Sequence, residues 1–131
     1  MMTNEEKVQH WVNMADRDIE AAEWNSKGKY NLHAGYLCHQ AVEKLLKARF
    51  VKIKEETPPY THDLFRLAEL TGLFDMMSDE QKDFLAELDP LQIKARYQEY
   101  KDAVEEKMTD ETTQEILTKT KELVTWIKQK I

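Results

Sequence analysis

Cysteine is almost missing from this chain: Cys38 stands alone, which excludes an intrachain disulfide and the usual tetrathiolate zinc sites. Glycine and proline are also scarce, three of each, a profile that argues against turn-rich sheets. No apolar run approaches the roughly 18 to 20 residues that a membrane-spanning helix requires. The opening Met1 to Lys7 lacks the basic start and apolar stretch of a secretion signal. A protein neither secreted nor membrane-inserted, held in a reducing cytoplasm, is therefore the expectation. The chain also lacks a glycine-rich phosphate loop, a serine elbow and a Cys-His nucleophile pattern, so conventional hydrolases are not expected. Neither is a bound metal or cofactor. His33 and His39 lie six apart, about 120° around a helix, without the four-residue spacing and nearby carboxylate of zinc helices.

What the sequence does hold is charge. Of 131 residues, 34% are charged, with a formal net charge of −6. That balance opposes a surface built wholly for nucleic acid. Local patches differ: Lys44, Lys47, Arg49, Lys52 and Lys54 are all basic, while Glu99 to Glu115 is mostly acidic. The basic stretch reads as a solvated helix face or as a surface for an anionic ligand.

Apolar spacing gives an all-α fold in one domain, residues 1–131. Val8, Trp11, Val12, Ala15, Ile19 and Ala22 predict a first helix from Thr3 to Asn25. The small polar residues around Gly28 should end it and turn the chain back. A second helix, Tyr30 to Lys54, carries Ala34, Leu37, Cys38, Ala41, Val42, Leu45, Ala48 and Ile53 as the centre of the core. Pro58 and Pro59 force an extended connection. Thr61 is placed to cap a short third helix ending near Gly72, and Ser78 with Gln81 forms a capping-box pattern for a fourth that stops near Pro90. Leu91 to Tyr100 has no firm assignment. Thr109 should cap a last helix, Asp110 to Lys130. Trp11, Trp24 and Trp126 are expected in core or dimer packing.

Three motifs, in order, carry a resemblance: His39-Gln40-Ala41-Val42-Glu43-Lys44-Leu45-Leu46-Lys47-Ala48, then Thr61-His62-Asp63-Leu64, then Ala95-Arg96-Tyr97. Together they resemble the HEPN domain family over more than half the chain. The resemblance implies an up-and-down bundle of four or five antiparallel helices that pairs as a homodimer. It further implies a minimal nucleotidyltransferase as partner, either as toxin and antitoxin or as subunits of one enzyme.

The candidate ligand-binding residues are Gln40, Glu43, Lys44, Lys47, His62, Asp63 and Arg96. Gln40, Glu43, Lys44 and Lys47 fall within two helical turns and project as a polar strip. Glu43 and Lys47, four apart, form either an exposed helix pair or part of a dimer groove that orients a phosphate or an arginine. His62 and Asp63, at a helix start, should point apart and serve the free amides there. Arg96, with Tyr97 adjacent and Tyr100 four along, suits bidentate phosphate contact and base stacking, or else holds its own segment in place.

In family members that cleave RNA, the resemblance implies a histidine a few residues after the arginine. Here no histidine follows His62. Metal-independent cleavage needs a group that exchanges a proton near neutral pH, and tyrosine, with a reference pKa of about 10, substitutes poorly. A nucleotide- or RNA-binding homodimer is the leading expectation. The alternative is a metal-independent ribonuclease toxin using Arg96 with Tyr97 or Tyr100; family analogy also makes those tyrosines candidates for nucleotidylation by the partner.

Overall fold

Thr3 starts the first helix, α1 (Asn4–Lys27), through a reciprocal cap: its Oγ1 accepts from the Glu6 amide at 3.1 Å, and Glu6 Oε1 accepts from the Thr3 amide at 3.1 Å. The computed structural model describes residues 1–93 and 96–131. Three residues separate α1 from α2 (Asn31–Lys54), and the two form a long antiparallel hairpin. Gly28 ends α1 as expected, but with an ordinary φ of −81°; Lys29 takes the left-handed conformation instead, at φ 64°.

After α2 come α3 (Leu64–Leu70), α4 (Asp79–Leu88), α5 (Gln98–Lys107) and α6 (Asp110–Gln129), with 3-10 turns at Phe74–Met76 and Asp89–Leu91. Among the described residues every regular element is thus helical, with no strand. Ser78 with Gln81 makes the expected capping box of α4, and Thr109 Oγ1 accepts from the Thr112 amide to cap α6. Asp63, not Thr61, caps α3: its carboxylate accepts from the Arg66 amide at 3.2 Å, while Thr61 Oγ1 accepts from the Asp63 amide. The shorter route from Asp63 to the first turn decides between them. Pro90 falls inside the 3-10 turn that closes α4.

α2 is the axis of the molecule. It packs on α1 and α6 along its length and on α3 and the 3-10 turn at Asp89–Leu91, so it is buried on nearly every side. Ala34, Cys38, Ala41, Val42, Leu45 and Ala48 lie in the core as the spacing predicts; Leu37 is half-buried and Ile53 is 41% exposed. The core ends at Val51, whose carbonyl oxygen accepts from Asn4 Nδ2, and Ile53, two residues on, lies past the start of α1. Burial pushes the Cys38 thiol up to about 11, which keeps it an inert apolar filler.

Because α3, α4 and α5 intervene, α6 returns parallel to α2. Asn31 Nδ2 at the head of α2 donates to the Met108 carbonyl and to Asp110 at the head of α6, and Arg49 donates to the Lys130 carbonyl at the other end. Against α1, α6 is antiparallel, with Lys121–Glu23 and Lys128–Asp16 pairs along the seam. Trp24 is 66% exposed, outside the core of this chain; Trp11 and Trp126 are half-buried. No described helix is long and apolar enough to cross a membrane.

Candidate ligand-binding site

Glu43 faces inward from the middle of α2, and its carboxylate is shared. Lys47 Nζ, one turn on, donates to Oε2 at 3.0 Å, and His62 Nδ1, from the loop before α3, donates to Oε1 at 2.9 Å. Glu43 is only 3% exposed and Lys47 6%, so the pair is not an exposed helix pair. Trp11 of α1 roofs it, with Lys47 Nζ 5.7 Å from the ring centre. An ionised carboxylate so far from water is tolerable only because both oxygens are bonded to donors, one of them a cation. His62 is where the cluster reaches solvent, its side chain 40% exposed and Tyr60 set edge-on against the imidazole. Since an ionised carboxylate can only accept, the His62 Nδ1 carries hydrogen, and Nε2 remains for a ligand or water.

His39, one turn before Glu43, is wholly buried. Its Nδ1 lies 3.4 Å from Gln40 Oε1 and 3.8 Å from Glu43 Oε1, and Nε2 has no partner among the described residues. Burial lowers its pKa more than Glu43 raises it, so the ring is held neutral. Tyr36, a further turn back, has its pKa raised by burial, then by Glu43 and Asp18.

The remaining members of the strip turn elsewhere. Lys44 reaches across to Asp18 of α1 at 2.6 Å, tying the hairpin together. Gln40 has His39 as its side-chain hydrogen-bond partner among the described residues. Asp63 points away from His62 and is taken up as the α3 cap. The structure therefore gathers Glu43, Lys47 and His62, with Gln40 at their edge, and separates Lys44 and Asp63 from them.

Arg96 occupies a third setting, just before α5. It is exposed; its Nε donates to the Gln92 carbonyl at 3.3 Å, and its guanidinium lies over the Tyr100 ring at 5.1 Å. Among the described residues no carboxylate pairs with it, and it makes no bond to the Glu43 cluster. Tyr97, at the N-terminal end of α5, is 89% exposed, while Tyr100 is half-buried and its hydroxyl donates to the Pro90 carbonyl at 3.1 Å. Ala95, the first residue of that motif, lies outside the described residues. This segment offers a charged fork with free donors, stacked on one ring and flanked by another, an arrangement able to hold a phosphate and a base together.

Sequence reasoning missed Asp18 and the roofing role of Trp11. Both act from α1, and only the hairpin register brings them to α2. A four-residue offset between Trp11 and Ala15 on the apolar face was the available signal.

The family model described as HEPN domain matches residues 8–130. The crystal structure of an archaeal HEPN homologue superposes with a TM-score of 0.64 at 22% identity, covering 94% of this chain and 96% of that one. No curated protein matches.

Proposed function

From the premise that this chain belongs to the HEPN domain family, we propose that it is a homodimeric module that binds a nucleotide or RNA, forming a single domain over residues 1–131 with a minimal nucleotidyltransferase as partner. One observation carries the reading: Arg96 is exposed, stacked on Tyr100 beside exposed Tyr97, and free of any carboxylate among the described residues. A structural arginine is usually consumed by carboxylates or carbonyls; this one gives up a single N–H. No histidine follows His62 in the sequence, and among the described residues no imidazole is bonded to Arg96, which favours binding over cleavage. The exposed Trp24 and Tyr30 beside the α1–α2 turn supply apolar surface for pairing.

The test is fluorescence anisotropy with a labelled single-stranded RNA and, separately, ATP. Arg96→Ala should weaken binding about tenfold or more and lower the salt dependence by about 0.7 in slope, the value for one lost phosphate contact on a single strand. Unchanged affinity sinks the reading. If the RNA is instead cut in the presence of a chelator, and Arg96→Ala abolishes the cutting while the dimer persists in light scattering, the protein is the metal-independent ribonuclease.

A further inference from the structure

The last helix is unevenly covered. α6 packs on α2 and α1, whereas α4 and α5 do not close on its remaining face. Two open clefts result, about 790 Å³ between α4 and the C-terminal half of α6, and about 550 Å³ between α5 and its N-terminal half. They share Glu87 and Lys119, a half-exposed pair at 3.6 Å that bridges α4 and α6 between them and, being solvated, gives way to an occupant at little cost. The clefts thus form one furrow beside α6 from Thr112 to Trp126, about four helical turns or roughly 21 Å.

Its floor is apolar at both ends. Met77, Phe84, Leu123 and Trp126 line the larger cleft; Leu91, Val104, Met108 and Ile116 line the smaller. Met76, at the edge, is 48% exposed, an adaptable side chain of the kind that suits docking surfaces. The rim of the larger cleft is acidic. Glu80, Asp83 and Glu122 border it, and no described cation pairs with any of them, while Lys119 is already taken by Glu87.

We propose that this furrow receives a cationic amphipathic helix of a partner protein. Four turns of open groove alongside a helix match a helix laid lengthwise, apolar side down. The uncompensated carboxylates set the occupant's charge: its lysines or arginines would lie along the half near Trp126. A second copy of this chain does not satisfy that requirement. A copy of net charge −6 brings no excess of cations to those carboxylates, and the dissociation arm of the test below distinguishes it from a cationic partner. The smaller cleft adjoins the Arg96 segment, since Tyr100, whose ring Arg96 overlies, lines it. The acidic rim lies at the other end of the furrow, and the proposal does not rest on RNA binding.

A synthetic Leu/Lys peptide of about five turns, with leucines at three- and four-residue spacing, is titrated into the full chain and followed by calorimetry. One-to-one binding is expected. Glu80→Lys with Glu122→Lys should weaken it about tenfold or more, and Met76→Asp should also weaken it, all three being exposed positions where circular dichroism should report an intact fold. Glu5→Lys with Glu56→Lys, the same charge change elsewhere on the surface, should leave it unaltered. Three results overturn the proposal: equal loss from both double variants, equal binding of a same-composition peptide with leucines scattered round the helix, or a solution dimer that Glu80→Lys with Glu122→Lys dissociates.

Discussion

Lys47 and Arg96 are both cations set near an aromatic ring, Trp11 in one case and Tyr100 in the other. Their surroundings differ. Lys47 is sunk between α1 and α2 with its charge spent on Glu43, and Arg96 stands in solvent with most of its donors free. A desolvated cation is committed to its counter-charge, because exchanging that partner for a ligand would strand a buried carboxylate. A solvated cation exchanges water for phosphate at little structural cost. The same side-chain chemistry thus reads as scaffold in α2 and as recognition before α5, and burial decides which.

The comparison is broken most sharply at Lys47. Lys47→Ala leaves Glu43 buried with His62 alone, and should cost about 3 kcal/mol or more in urea denaturation at neutral pH. Replacing both members, Glu43→Leu with Lys47→Met, removes the stranded charge and should recover much of that loss. A double variant no better than Lys47→Ala would show that the ion pair, rather than avoidance of an unpaired charge, stabilises the site.

Acid probes the same core more gently. His39 is held neutral, its folded pKa below the unfolded value, so the unfolded chain binds the extra proton first. Its contribution to stability is therefore full above the unfolded pKa of about 6.5 and declines as pH falls below it, by up to about 1.4 kcal/mol per pH unit. Urea midpoints measured from pH 7.5 to 5 should fall in the wild type and fall less in His39→Leu. An identical slope in the two proteins would remove His39 from the account.

How far the sequence discloses these two regions follows from what each depends on. Helical spacing and caps are local, so α1, α2, α4 and α6 are legible to within a few residues from Val8, Ser78 or Thr109. α5 is not: Val104 alone on it is buried, and Tyr100, Ala103 and Val104 among Glu99, Asp102, Glu105 and Glu106 make a patch of a single turn, too short to mark a helix by its period. The burial of Glu43 is equally hidden, since a Glu and a Lys four apart look the same on a solvated helix as under Trp11. The deciding fact is long-range: α2 is covered by α1, α3 and α6 together. Arg96 could be singled out because its interest lies in what surrounds it in sequence, Tyr97 and Tyr100, although the separation of Arg96 from Glu43 required the fold.

The smallest expected effect on stability falls at Arg96, and its smallness is informative. The side chain is exposed, bonded once to a carbonyl, and stacked on a ring that is itself anchored to Pro90. Arg96→Ala should shift the urea midpoint by no more than about 0.5 kcal/mol of stability, as for an ordinary surface substitution. If the same variant loses RNA or nucleotide affinity, the two measurements separate recognition from folding at one residue. A stability loss of 2 kcal/mol or so, the size expected of a buried network, would instead place Arg96 with Lys47, as part of what holds the chain between Gln92 and α5. The contrast between a committed and a free cation would then collapse.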